Sequence, residues 1–468
     1  MQKREQYKRM LRFLLSVFFL AAETGMFYFV WMSRYSGLME KPFQRKGNWL
    51  MAAFYVLFLV LFAHMYSGWK IGALKAFHLI YSQGLSLLFA NAMMYVVITL
   101  LTKKFQVFWP LLLMFLAQCV FACAWGMWST GCYLRAYPPR RVLMVYGDRP
   151  NTGLAGKFHS RADRFVICET IHISEGMERI AEKISRYEGV VIGDIPTPFR
   201  NKILKYCYEK SVRTYTSPKI SDILIRSAES QHLFDTPILL SRNVGLTFEQ
   251  KLVKRMIDIL FSGIALLPAL PIMGAVALCI RAEDGGSVLY RQKRLTQGGK
   301  EFFVYKFRSM REDAEKDGIA RLAGERDERI TKTGRVIRAL RLDELPQLFN
   351  ILKGDMSIVG PRPERPELAE KYEDRIPEFM YRLKVKAGLT GYAQVYGKYN
   401  TTAYDKLRLD LMYIQNYSLK QDFEIMFRTV QILFMKESTE GVGEGQIAAT
   451  GEEGRVKNSL ASYKEKTG

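Results

Sequence analysis

Four apolar stretches, roughly residues 12–32, 49–67, 83–102 and 107–128, fill the first quarter of the chain and constrain it more than any other feature. Each is about long enough to cross ~30 Å of hydrocarbon at ~1.5 Å of helix rise per residue. No small-residue cleavage site follows the first, so it reads as a span and not as a removable leader. Lys3, Arg4, Lys8, Arg9 and Arg12 cluster at the start, which favours a cytoplasmic N-terminus. Four spans then return the chain to the cytoplasm, although the first outer loop also carries Arg34, Lys41, Arg45 and Lys46. Glu23 and His64 lie within spans; both are expected to face the bundle interior or a helix end and to pair there.

Lys and Arg number 68 against 46 Asp and Glu, a formal charge of +22 over 468 residues. Such a balance points to nucleic acid or to an anionic membrane. No basic module with interleaved aromatics is present, and the apolar stretches decide for the membrane. The six cysteines form no CxxC pair and no metal-ligand spacing. Cys119, Cys123 and Cys279 sit in apolar runs and read as small hydrophobes in a reducing compartment. All five histidines precede residue 240, so chemistry in the C-terminal half has to rely on carboxylates, Lys, Arg and Tyr.

From about residue 140 the pattern becomes α/β. "RRVLMVYGD", "RFVICE", "GVVIGD" and "SVRTYT" read as short buried strands separated by helical segments such as "EGMERIAEKISRYE", which implies a parallel sheet. The turn Gly147-Asp148-Arg149-Pro150-Asn151-Thr152-Gly153 bears glycines but lacks the GxGxxG spacing that brings backbone N–H groups to a pyrophosphate. A further apolar segment runs from Met256 to Ile280, with Lys254 and Arg255 before it and Arg281 after it. Pro268 and Pro271 lie near its middle, where each removes a backbone donor and crowds the preceding turn. Positive charge on both flanks favours a hairpin that enters and leaves on one side, with a kinked fifth span as the alternative.

The densest chemistry lies in "LDELPQLFNILKGDMSIVGPRP", residues 342–363. Asp343 and Glu344 follow a run holding Arg329, Lys332, Arg335, Arg338 and Arg341. Arg335, Arg338 and Arg341 oppose Val336, Ile337 and Leu340, the pattern of an amphipathic helix suited to an anionic bilayer surface. Arg291, Lys306 and Arg308 add cations on strand-like sequence. Arg362 is set between Pro361 and Pro363, which presents its planar fork at low entropic cost for bidentate phosphate binding. The surrounding cations are expected to keep both carboxylates ionised. An ionised Asp is a competent nucleophile toward phosphorus once Arg side chains and Mg²⁺ neutralise the phosphate. These residues point to phosphoryl chemistry at a membrane surface, with Asp343 and Glu344 as nucleophile or metal-ligand candidates.

"YRQKR", "KFRSM", "RDERITKTGRVIRALRLDELPQLFNILKGDMSIVGPRPE", "KAGLTGYAQVYGK" and "YDKLRLDLMYIQNYSLKQDFEI", preceded by Lys254-Arg255-x-x-Asp258, together resemble the bacterial sugar transferases, or polyprenyl-phosphate hexose-1-phosphate transferases. The likeness covers roughly residues 250–437. It implies transfer of a sugar-1-phosphate from a UDP-sugar to undecaprenyl phosphate with release of UMP and help from Mg²⁺. By the resemblance, Asp343 is the nucleophile and a Mg²⁺ ligand, and Glu344 the neighbouring acid. Arg338, Arg362, Lys306 and Arg308 are the expected phosphate-binding residues. The family's membrane helix breaks at a Ser-Pro pair, matched here by Leu270-Pro271 with Pro268 one turn earlier. The expected whole is a mixed membrane protein: an α-helical four-span bundle (1–135), a Rossmann-like α/β cytoplasmic domain (136–245), and an α-rich monotopic catalytic domain (246–437) with a re-entrant helix hairpin over 256–280. A disordered tail (438–468) closes the chain. The setting implied is the bacterial cell membrane, with the catalytic domain on its cytoplasmic face and pairing of two copies through the N-terminal half. The competing reading is a membrane-anchored regulatory or binding protein with an inactive transferase domain. No residue names the hexose.

Overall fold

The computed structural model describes residues 2–39, 42–43, 45–147, 152–241, 245–311, 329–397 and 401–433. The chain forms two compact units, Met1–Ser217 and Pro218–Gly468. The expected tail lies outside the described residues, as do Asp148–Asn151 of the glycine-bearing turn.

The first unit opens with four long helices: α1 (Gln2–Val30), α2 (Arg45–Met65), α3 (Ala76–Thr102) and α4 (Trp109–Ala136). Each is long and apolar enough to cross a membrane. Every helix packs on two others, α1 on α2 and α4, α3 on α2 and α4, which closes a four-helix bundle. Phe27 stacks on Tyr55 at 4.4 Å inside it. Asn91 Nδ2 donates to Gln118 Oε1 (2.8 Å), and Gln118 Nε2 donates to Tyr55 Oη (2.7 Å), tying three helices where no water competes. Glu23 is fully buried beside Gln118, whereas His64 is exposed on α2.

The bundle is followed by β1 (Arg140–Tyr146), α5 (Thr152–His159), β2 (Phe165–His172), α6 (Gly176–Ile184), β3 (Gly189–Ile192), α7 (Thr197–Glu209) and β4 (Arg213–Thr216). The strands form one parallel sheet in the order β2-β1-β3-β4. Each crossover carries a helix, as parallel pairing demands. Leu143 and Val145 of β1 pack with Ile180, Ile184 and Ile203 on one face, and Val142 and Met144 with Phe158 on the other.

The second unit contains α8 (Ile220–Arg226), β5 (Glu229–Leu233), β6 (Thr236–Leu240), α9 (Phe248–Asp284), β7 (Leu289–Leu295), β8 (Glu301–Phe307), α10 (Lys332–Ala339), α11 (Gln347–Lys353), β9 (Ser357–Val359), α12 (Pro366–Glu373), β10 (Gly388–Thr390), α13 (Tyr392–Tyr396), α14 (Ala403–Gln415) and α15 (Leu419–Leu433). Ile220 and Ile223 of α8 pack with Leu407 and Leu411 of α14, so the segment grouped with the α/β domain by sequence joins the second core here.

The helix hairpin expected over 256–280 is instead one 37-residue helix, α9, with Pro268 and Pro271 inside it. The physical reason is a single buried stripe, Lys254, Asp258, Ser262, Ala269, Met273, Val276 and Ile280, that packs on the second unit along the helix's whole length. Ala269, Met273, Val276 and Ile280 meet Phe302, Val304, Phe307 and Ile337. That packing holds the helix through the two positions where proline removes a donor. The opposite face exposes Met256, Leu260, Ile264, Leu267, Leu270 and Leu278.

Candidate active site

Two clamps at the C-terminal end of α9 place the charged elements. The carboxylate of Glu283 accepts the backbone N–H groups of Lys332 (2.8 Å) and Thr333 (3.1 Å), capping α10 together with Thr331 Oγ1, which accepts from Gly334. Asp284 pairs with Arg308, which is 7 % exposed at the end of β8. Arg308 thereby fastens the β7–β8 hairpin to α9. Gly334 is dictated by space, since a Cβ there would lie 2.0 Å from the carbonyl of Ser309.

α10 is shorter than the amphipathic pattern implies. It stops at Ala339, and Arg341 turns the chain with a φ of +56°, a left-handed conformation costing roughly 1–2 kcal/mol for a residue with a Cβ. The expected apolar stripe divides: Ile337 is buried, while Val336 and Leu340 are 57 % and 58 % exposed. The turn delivers Asp343 and Glu344 on a short 3-10 segment, Leu342–Glu344, facing β8.

α11 follows and is locked from two sides. Asn350 Oδ1 accepts from Tyr305 N–H (3.0 Å) and its Nδ2 donates to Phe303 C=O (2.8 Å), so one amide stands in for a neighbouring strand along β8. Arg255 of α9 donates to the carbonyls of Ile351 and Leu352, satisfying orphan acceptors at the helix end. Asp258 accepts from Ser357 Oγ and Ile358 N–H, fixing the strand that leads to Arg362.

Arg362 enters on the Pro361-Arg362-Pro363 turn. Gly388 N–H donates to Pro361 C=O (2.9 Å), and Arg294 Nη1 to Pro363 C=O (3.0 Å). Arg382 Nη2 donates to the carbonyl of Arg362 itself (2.9 Å). Arg382 is 3 % exposed and pairs with Asp410 (2.7 Å) and Glu364 (3.4 Å). Gly360 allows β9 to approach its neighbour, since a Cβ would sit 2.4 Å from Lys386 C=O.

These supports bring together Glu344, Arg362, Lys306 and Arg341. Glu344 Oε1 accepts from Arg362 Nη2 (2.8 Å) and Lys306 Nζ (3.4 Å), with Arg341 Nη1 at 4.0 Å. Arg362 first, then Lys306 and Arg341, hold the Glu344 carboxyl well below the usual carboxylate range despite its burial. Arg362 is raised in turn, chiefly by Glu344. Lys306 is lowered by burial, against the pull of Glu344.

Asp343 differs from its neighbour. Among the described residues it makes no hydrogen bond or ion pair. Burial first, then the charge of Glu344, pushes its carboxyl up; Lys306, Arg338 and Arg341 pull it back. The cations therefore act unequally on the two carboxylates. Glu344 takes the direct contacts, and Asp343 is left unengaged within reach of the same field. Arg338 acts on Asp343 through that field and makes no ion pair among the described residues. Arg291 lies outside the cluster, 5.4 Å over the ring of Tyr305.

Sequence reading did not single out Arg382, Arg294, Glu283, Asp284 or Asn350. Their partners are distant in sequence, and no local spacing marks them. Pro268, Leu270 and Pro271 lie on α9 away from these charges, with Leu270 on the exposed apolar face. No group of three or more His, Cys, Asp or Glu side chains forms a metal cage among the described residues.

The domain built on α9 presents one uncommitted carboxylate beside a cluster of Arg and Lys, an arrangement whose charges could bind phosphate. Comparison with known proteins gives the class a family. Residues 249–436 match the family described as bacterial sugar transferase. The UDP-N-acetylgalactosamine-undecaprenyl-phosphate N-acetylgalactosaminephosphotransferase of Aeromonas hydrophila is 38 % identical over 237 residues, 50 % of this chain and 55 % of that protein. A putative undecaprenyl-phosphate N-acetylgalactosaminyl 1-phosphate transferase of Bacillus subtilis (strain 168) is 51 % identical over 131 residues, 28 % of this chain and 73 % of the relative. The UDP-glucose:undecaprenyl-phosphate glucose-1-phosphate transferase of Escherichia coli (strain K12) is 39 % identical over 203 residues, 42 % of each chain. The chain belongs to the bacterial sugar transferase family. It spans about half the length of the first of these relatives.

Proposed function

We propose that this protein transfers a hexose-1-phosphate from a UDP-sugar to undecaprenyl phosphate, releasing UMP, as an opening step of glycan assembly. The observation that carries the reading is the unequal carboxylate pair: Glu344 organises the cations, and Asp343 stays uncommitted among them. An Asp343 oxygen attacks the sugar-bearing phosphorus, and the bond from that phosphorus to the bridging oxygen breaks, so UMP leaves. A phosphate oxygen of the lipid then attacks the same phosphorus. The aspartyl P–O bond breaks, Asp343 is restored as a carboxylate, and the sugar ends on a polyprenyl diphosphate.

Arg362, Lys306, Arg341 and Arg338 supply the fixed positive field for the phosphate oxygens. Because Glu344 already orders three of these side chains, little reorganisation is needed when the diphosphate arrives. Mg²⁺ usually takes one or two carboxylates and completes its shell with water and substrate phosphates. Asp343 beside a diphosphate fits that donor set without a protein cage. When bound, Mg²⁺ would neutralise charge on the diphosphate.

The placement of α9 supports a monotopic arrangement. One unit binds the helix at both ends, through Lys254 to Asp422 (2.6 Å) and through Glu283 to α10. The exposed apolar face between them suits the hydrocarbon of one leaflet. The basic N-terminus supports a cytoplasmic face for the catalytic domain.

The test is to incubate the full chain in membranes with Mg²⁺ and a panel of UDP-sugars labelled in the sugar, without lipid acceptor. Label trapped on protein and absent from Asp343→Asn supports the covalent route, and addition of undecaprenyl phosphate should discharge it. Lipid-dependent UMP release with no trapped label would favour direct attack by the lipid phosphate. Undiminished UMP release from Asp343→Asn would remove Asp343 from the chemistry.

A further inference from the structure

The first unit contains a second cluster of cations that the transfer chemistry does not use. Lys8, Arg9, Arg12, Arg140, Arg164 and Arg213 line a cavity of about 250 Å³ where α1 begins, α4 ends and the parallel sheet starts. Asp163 is the one carboxylate on its wall, and Arg161 already grips it through two bonds of 3.0 and 2.9 Å. Among the described residues none of Lys8, Arg9, Arg12 and Arg164 forms an ion pair. Lys8 instead lies over the rings of Tyr133 (5.5 Å) and Tyr137 (5.0 Å). Arg164 is lowered by burial first and then by neighbouring Arg161.

The cavity is constructed, not left over between loose parts. Gly72, at a φ of +67°, brings the loop between α2 and α3 against Tyr133, where a Cβ would lie 2.0 Å from the ring. Arg161 Nη2 donates to the carbonyl of Ala73 (2.8 Å), binding the α/β domain to that loop. Arg140 Nη1 donates to Tyr215 Oη (2.7 Å). Gathering like charges in a half-buried space is costly unless an anion joins them.

We propose that this cavity binds the phosphate headgroup of an anionic lipid. Its size lies below the ~300–1,000 Å³ of ordinary small-molecule sites, so it suits a headgroup better than a nucleotide sugar. Its position selects a lipid as the source. Met10, Phe13, Leu14 and Val17 are exposed on α1 from the cavity's edge onward, so acyl chains can follow the helix while the phosphate meets the cations. Basic pockets at the ends of membrane helices hold headgroups in this way.

The experiment places the full chain in nanodiscs of phosphatidylcholine with and without phosphatidic acid, and counts retained lipid by native mass spectrometry. The wild type should retain phosphatidic acid in preference to phosphatidylcholine. Arg12→Gln/Arg164→Gln should weaken that retention about tenfold or more, as expected for lost charge-assisted bonds. Arg9→Gln, at an exposed rim position, is a milder variant should the double change disturb folding, and should give a smaller loss. Arg135→Gln and Lys157→Gln remove charge from the same unit outside the cavity and should change nothing. Equal loss in those controls, or no preference in the wild type, would overturn the proposal. Inorganic pyrophosphate displacing phosphatidic acid only at concentrations that also act on the double variant supports it. Tight pyrophosphate binding in detergent with the same residue dependence would overturn the lipid assignment in favour of a soluble anion.

Discussion

Arg382 and Arg362 sit in adjoining charge networks of the catalytic unit, and the two networks are built to opposite ends. Arg382 is buried, and Asp410, Glu364 and the carbonyl of Arg362 share its donors. Arg382 Nε has no acceptor among the described residues, so the network is closed by burial and not by saturation of its bonds. Arg362 is 39 % exposed along its side chain and shares Glu344 with Lys306 and Arg341, leaving Asp343 over. A closed network can only hold a shape, whereas an open one can hold a shape and still have a group to react with. The closed network meets the open one at the carbonyl of Arg362, so rigidity passes to Arg362 without consuming its guanidinium.

The largest expected effect breaks the open network at its reactive member. On the proposed covalent route, Asp343→Asn should lower lipid-dependent UMP release by at least about 10⁴-fold, since that route has no substitute for its nucleophile. Next comes the closed network. Arg382→Met leaves Asp410 buried without its cation and should cost about 3–5 kcal/mol, read as earlier thermal unfolding. It should also lower kcat, because the carbonyl of Arg362 loses its anchor. Normal kcat in a destabilised Arg382→Met protein would break the link between the two networks.

Glu344→Gln tests the organising role and should cost about 10–100-fold in kcat, somewhat less than loss of a direct transition-state donor. The same variant sharpens a pH prediction. Asp343 is raised, so the acid limb of kcat/KM should lie above the ordinary Asp value of ~3.9. Removing the Glu344 charge should move that limb to lower pH.

The smallest effect is on stability. A carboxyl raised by folding imposes a cost that is present above its folded pKa and gone below its unfolded value. Asp343→Asn should therefore unfold at a slightly higher temperature than wild type at pH 7 and at the same temperature near pH 3. Glu344 has the opposite sign: its contribution is present above the unfolded value and lost only as pH falls through its depressed folded one. Glu344→Gln should accordingly be the less stable protein at pH 7.

Sequence alone determined what local chemistry determines. Runs of apolar residues marked the four bundle helices, because hydropathy is a property of neighbours along the chain, although α1, α3 and α4 extend well past the apolar stretches at one end. Alternating short strands and helices made the parallel sheet legible, and the density of charge around residues 329–363 marked the candidate site. Tertiary structure decided how the charges divide. Whether Asp343 or Glu344 meets Arg362 depends on a left-handed turn at Arg341 and on a strand brought from some 40 residues away. Arg308, grouped by sequence with the phosphate binders, turns to Asp284 because the end of α9 lies beside it. Two prolines that locally argue for a break remain within one helix, because a buried stripe packs along its entire length. Electrostatic and packing energies fall with distance in space, and sequence records only distance along the chain.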